Sequence, residues 1–232
     1  MFKGKSFLGI VPARAGSKRL PGKNLLEFNG HPLISWTIKA GLKSKYIDSL
    51  IVSSENEEIL AISSYYGANT IKRPKNLSLD ETSTYDVVED LIKKSGKYDY
   101  IILLQPTSPL RTSNHIDEAI EQLFQMKADG IISVSESSHN PLWCGILKKD
   151  LKMDRFLSDD IKNKRSQDLD QYYSLNGAIY ISNKQKLLNE KSFFLKSNIY
   201  AYIMKIEDSI DIDTIHDFNF ALALSSNKNL NQ

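Results

Sequence analysis

"FLGIVPARAGSKRLPGKN", Phe7 to Asn24, decides how the rest of the chain is read. Phe7 to Val11 carry no charge or hydrogen-bonding side chain, as a short strand buried on both faces requires. The chain then meets Gly16, Pro21 and Gly22 together with Arg14, Lys18, Arg19 and Lys23. Glycine lets backbone approach a ligand closely, and successive N–H groups in such a bend form an anion nest. "HPLISWTIKAGLKS" follows, with Pro32 suited to a first helical turn and Leu33, Trp36, Ile38 and Leu42 available for one apolar face. Strand, basic bend and helix in that order open an α/β fold with a binding loop at a strand end.

The same beat continues outward. "IDSLIVSS" predicts a second strand, "ENEEILAISSYYG" a helix with acids at its start, and "NTIKR" a third strand. Ser83 with Asp86 forms a possible capping box for a helix reaching Lys93 or Lys94. "YDYIILLQPTSPLR" is the clearest central strand, ending in a proline turn. "SNHIDEAIEQLFQMKADG" has Ile116, Ile120, Leu123 and Phe124 at helical spacing, and "GIISVSES" is a further strand. From Ser137 to Tyr173 the pattern breaks, and a stretch that long needs a task such as a lid or a pairing subdomain. "NGAIYIS" and "NIYAYIMKI" return to strand, "NKQKLLNEKSFF" suggests a short helix, and "IHDFNFALALSS" a closing one. The expected fold is one α/β domain over 1–232, a three-layer sandwich with a mostly parallel sheet and an insertion at about 137–173.

Composition narrows the function. The 232 residues are 41% hydrophobic and 25% charged, as in a globular protein. Net charge is +2, which argues against a general nucleic-acid coat but leaves room for a small anion site. No run is long enough to cross a bilayer, and the apolar part of the N-terminus is too short for a signal peptide. The lone cysteine, Cys144, fits a reducing compartment and reads as an inert buried thiol, so a cytoplasmic location is expected. His31, His115, His139 and His216 lack zinc-like spacing.

In open α/β sheets ligands bind beyond the carboxyl ends of strands, and three unusual loops fall there. The basic bend suits a polyphosphate. It is not a dinucleotide fingerprint, and it misses a P-loop because five residues separate Gly16 from Gly22 and Asn24 follows Lys23. In "QPTSPLR", Gln105 offers both acceptor and donors, suited to a polyol or amide, while Arg111 meets an anion or a local acid. In "IDID", strand alternation puts Asp211 and Asp213 on one side. Two such carboxylates repel unless a cation or a basic group neutralises them, and beside a polyphosphate the natural cation is Mg²⁺; the other reading is that Asp213 caps the last helix or that both acids lie at the surface.

"IVPARAGSKRLPGKN", "LLQPTSPLR", "RSQDLDQYYSLNGAIYI" and "SIDIDT" together resemble the acylneuraminate cytidylyltransferases, over about Phe7 to Phe218. The first motif alone would point only to nucleotidyltransferases of the wider sugar-nucleotide class, with their nucleotide-diphospho-sugar transferase-like fold. The resemblance implies that CTP is joined to the 2-hydroxyl of a nine-carbon α-keto sugar acid, giving a CMP-sugar and pyrophosphate. It implies catalytic roles for Arg14, Lys23, Asp211 and Asp213, with the two aspartates holding Mg²⁺. Ala13, Arg14, Ser17, Lys23, Asn24, Asp80 and Ser83 would bind the nucleotide, Gln105 the sugar acid, and Arg165 a phosphate or the sugar carboxylate. It also implies a homodimer formed through the insertion, with Arg165 acting across it, and no nucleic-acid or membrane partner. Ala15, where many sialic acid enzymes have glycine, and "KRLPGKN" resemble the branch acting on legionaminate or pseudaminate. Asp170 stands where proline is frequent. The competing readings are a cytidylyltransferase for the eight-carbon acid KDO, a nucleotide-sugar-dependent glycosyltransferase, and a non-catalytic binding protein.

Overall fold

The computed structural model describes residues 1–79 and 81–227. The chain runs β1 (Phe7–Pro12), β2 (Glu27–Phe28), β3 (His31–Pro32), α1 (Leu33–Lys43), β4 (Ser49–Ser54), α2 (Glu57–Tyr65), β5 (Asn69–Lys72) and α3 (Thr84–Lys94). It continues with β6 (Tyr100–Leu104), α4 (Ser113–Gln125), β7 (Gly130–Glu136), β8 (Tyr173–Asn183), α5 (Lys184–Glu190), β9 (Ile199–Met204) and α6 (Ile215–Asn227). β2 and β3 form a small hairpin; the other strands form one sheet in the order β5-β4-β1-β6-β8-β7-β9.

Side-chain alternation along the central strands builds the two cores. Phe7 and Val11 of β1, with Ile102 and Leu104 of β6, face α1 and α4 through Ile34, Ile38, Ile116 and Ile120. Leu8, Ile10, Ile101 and Leu103 face the other way, onto Val87, Val88 and Leu91 of α3 and Leu187 of α5. A third cluster under the basic bend joins Leu20, Phe28 and Leu33 to Ile212, Phe218 and Ala221. The sheet is therefore covered on both faces, as its apolar strands demand. Capping boxes start α3 at Ser83 and Asp86 and α4 at Thr112 and His115.

The sheet is mostly parallel: β8 is antiparallel to both β6 and β7, and this one strand runs against the other six. Three local expectations need correction. Leu42 is exposed, because the last turn of α1 packs through Ala40 and Gly41 instead. Cys144 is exposed rather than buried. Asp211 and Asp213 lie not on a strand but in extended chain beyond β9 and a 3-10 turn at Ile206–Asp208. This segment runs back across the carboxyl edge of the sheet and is pinned there by Ile212 N–H donating to Thr107 C=O at 2.9 Å.

The irregular stretch is an excursion between β7 and β8, closed at its base by Ser137 N–H donating to Tyr172 C=O. It carries 3-10 turns at Pro141–Trp143 and Ser166–Asp168. Trp143, Ile146, Leu147, Leu151 and Met153 are exposed along it. No described helix is long and apolar enough to cross a membrane.

Candidate active site

A cleft of about 550 Å³ opens at the carboxyl ends of β1, β5 and β6. Arg14, Ser17, Lys23, Asn24, Ser83, Gln105, Asp211 and Asp213 all line it, brought from loops far apart in sequence. Two residues do not join them. Ala13 is fully buried and turns its methyl into the core, because the strand alternation of β1 carries over to it. Arg165 sits in the excursion, its N–H donating to Asp168, and does not line this cleft. Asp80 lies outside the described residues.

Gly22, at φ 66°, gives the left-handed turn that starts a 3-10 turn at Lys23–Leu25. That turn drives Lys23 inward, where its residue is only 9% exposed. Lys23 Nζ donates to Ile212 C=O at 2.6 Å and to Asp213 Oδ1 at 3.1 Å. Arg19 Nη2 holds the other oxygen of the same carboxylate at 2.5 Å. The basic loop and the acidic segment are thus in direct contact. Asn24 Nδ2 donates to Arg14 C=O at 2.9 Å, while its buried Oδ1 has no partner within the described residues and is an acceptor for a ligand group.

Asp211 is open to the cleft, yet the surrounding walls replace part of its water. Burial pushes its carboxyl pKa up, Asp213 adds repulsion, and the Thr107 hydroxyl and Lys23 oppose both. Asp211 thus lacks full compensation from the chain itself. No group of three or more His, Cys, Asp or Glu side chains gathers among the described residues. A cation such as Mg²⁺, which often takes one or two carboxylates and completes its shell with phosphate oxygens and water, fits this donor set. Arg14, Lys18, Arg19, Lys23 and Arg73 line the cleft against Asp211 and Asp213, a balance that favours a polyanion.

Three further features were not legible in the motifs. Ile132 faces Tyr180 but Val134 faces Leu175, so β8 bulges between these pairs. Asn176 locks the bulge: its Nδ2 donates to Ser209 Oγ at 3.0 Å, and its Oδ1 accepts from Ser133 Oγ at 2.6 Å and from Ala178 N–H at 3.2 Å. Gly177, at φ 70°, then lays bare backbone between the two polar groups of the floor. A Cβ there would stand 3.5 Å from Asp211 Oδ2 and 3.8 Å from Gln105 Nε2. A glycine inside the strand pattern "NGAIYIS" is the signal that could have found it. Among the described residues Arg111 forms no ion pair with an acid. It is 2% exposed and braces the floor by donating from Nη1 to Gln105 C=O at 3.1 Å and Ala178 C=O at 3.0 Å. Burial pulls its pKa down to about 9.

Gly177→Ala places an L residue in left-handed backbone, at a cost of about 1–2 kcal/mol in stability. The new methyl also stands against Asp211 and Gln105, so turnover falls by more than the thermal midpoint alone explains. Equal kcat in folded variant and wild type at 25 °C counts against this role for the bulge.

Comparison with known proteins places the chain in a family. The family described as Cytidylyltransferase matches residues 8–232. The chain belongs to that cytidylyltransferase family. This family member is 41% identical over 212 residues to an N-acylneuraminate cytidylyltransferase of Streptococcus agalactiae serotype III, covering 90% of this chain and 51% of the relative. The chain thus spans about half the length of the first curated relatives it matches. It is 35% identical over 222 residues to a CMP-N,N'-diacetyllegionaminic acid synthase of Legionella pneumophila, covering 91% of this chain and 92% of that one. A solved structure of CMP:2-keto-3-deoxy-manno-octonic acid synthetase complexed with CTP superposes with a TM-score of 0.74 over 97% of this chain and 100% of that one. Its 18% identity makes this a likeness of fold alone.

Proposed function

We propose that the chain transfers the cytidylyl group of CTP to the 2-hydroxyl of a nine-carbon α-keto sugar acid, releasing pyrophosphate. The observation that carries this reading is the convergence of the basic loop and the acidic pair in one cleft, down to the Lys23–Asp213 contact at 3.1 Å. The names of the N-acylneuraminate and N,N'-diacetyllegionaminic acid relatives support the acceptor class.

Arg14 and Lys23 hold the triphosphate, with Ser17 and Asn24 beside it; the backbone at Ala13 and the far wall at Ser83 border the nucleoside. Asp80 belongs to the same assignment. Gln105, standing on the floor braced by Arg111, orients the sugar acid through its amide. Asp211 and Asp213 hold Mg²⁺, which when bound supplies neutralising charge to the phosphoryl oxygens and the leaving group. The acceptor hydroxyl gives up its proton to surrounding water, its oxygen bonds to the α-phosphorus in line as the bond to the bridging oxygen breaks, and pyrophosphate departs. Fixed cations aimed at the oxygens where charge grows provide the catalytic stabilisation. Ser83 has a second duty: its hydroxyl accepts from Asp86 N–H at 3.1 Å and caps α3.

A homodimer formed through the excursion completes the proposal. Exposed apolar side chains between Leu142 and Met153, continuing to Tyr173 and Leu175, support it. Arg165 is assigned to the cleft of the second copy. The exposed thiol of Cys144 suits a reducing, cytoplasmic setting.

Pyrophosphate release from CTP, measured with N-acetylneuraminate, legionaminate, pseudaminate and KDO, tests the reading. Mg²⁺-dependent release with a nine-carbon acid and none with KDO is expected. Release with KDO alone moves the acceptor to the eight-carbon class, and release with none of the acids overturns the proposal.

A further inference from the structure

Glu55 stands just past β4, outside all four sequence motifs and behind the wall of the cleft. Its Oε1 accepts from Ala15 N–H at 2.8 Å. Its Oε2 lies 3.4 Å from Arg73 Nη2. That same Nη2 donates to Ala13 C=O at 2.9 Å and lies 3.2 Å from Ser53 C=O. The peptide groups on both sides of Arg14 are therefore gripped by buried Arg73 and its part-buried partner Glu55, while Asn24 takes the carbonyl of Arg14 itself.

The charges explain why the pair is needed. Arg73 is only 6% exposed and shares the cleft with Arg14. Burial lowers the Arg73 pKa most, Glu55 opposes this, and the nearby Arg14 charge lowers it further. The Glu55 carboxylate, 3.4 Å from Arg73 Nη2, offsets part of that repulsion.

We propose that Glu55 is a positioning residue that holds Arg14, through Ala15 and Arg73, in the orientation that receives the nucleotide triphosphate. This rests on the reading of the basic loop as the CTP site. Glu55 touches no substrate; it presets a residue that does, so its loss should fall on CTP and not on the sugar acid.

The test is a double-mutant cycle on the full chain, reading the KM for CTP, the KM for the sugar acid and the thermal midpoint for Glu55→Ala, Glu55→Gln, Arg14→Ala and the two Arg14→Ala double variants. Glu55→Ala is expected to raise the CTP KM about tenfold with the sugar-acid KM within about twofold, and to add nothing further in the Arg14→Ala background. Glu55→Gln, whose amide oxygen still accepts from Ala15 N–H, should recover part of the loss; it also carries the cycle if the alanine variant does not fold. Losses that multiply with Arg14→Ala, or that fall equally on both substrates, overturn the inference while leaving the loop's role intact. An unchanged CTP KM in Arg14→Ala itself overturns the reading of the loop, and Glu55's role with it.

Discussion

Asp211→Asn lowers CMP-sugar formation by roughly 10²-fold or more, the scale of losing a transition-state electrostatic group. The substitution keeps the shape of the side chain and removes its charge. In the ligand-free protein that charge is a liability, since burial and Asp213 both raise the carboxyl pKa. The thermal midpoint of Asp211→Asn should therefore be no lower than that of the wild type. Activity lost with stability kept marks a group held for chemistry rather than for folding. A near-wild-type rate at saturating Mg²⁺ removes Asp211 from the reaction. The sign of the pH effect follows from the same shift. An acid whose folded-state pKa is raised detracts from stability above its unfolded pKa, and the penalty fades as pH falls through that range. Asp211→Asn should flatten this part of the stability profile.

Lys23→Ala is expected to be about as damaging to turnover, roughly 10²-fold, and unlike Asp211→Asn it also destabilises. Its ammonium satisfies the Ile212 carbonyl and one oxygen of Asp213. Leaving a buried acceptor unmet costs about 1–3 kcal/mol. Lys23→Arg does not rescue it, because the site receives a compact ammonium and a planar fork needs another geometry. The measurement is kcat with saturating CTP, alongside the melting curve. An arginine variant with wild-type turnover refutes the point-charge geometry.

Much of this site was visible in the sequence because its parts are local. The run Phe7–Val11, the glycine-bearing bend and the paired aspartates each announce themselves within a few residues. Covered central strands read easily, since an apolar run such as Tyr100–Leu104 has few other uses. The direction of β8 did not read, because pairing with β6 and β7 is decided by how the long excursion returns and not by periodicity. The aspartates were read onto a strand because "IDID" alternates; the chain there is extended but bonded to Thr107 rather than to a strand neighbour. Glu55 and Arg73 were missed for a different reason. Their partners lie about 40 and 60 positions away in the chain, at Ala15 and Ala13, and no short motif encodes such a grip.

The double hold of Lys23 and Arg19 on Asp213 sets the tone of the whole cleft. At rest two of the cleft's cations are spent on that one carboxylate, so on the proposed reading an incoming triphosphate reaches them only by displacing it. Net affinity is then a small remainder between two sets of attractions. Under the proposed reaction, the return of Asp213 to Lys23 and Arg19 would then favour release of pyrophosphate, because the departing anion is replaced from within.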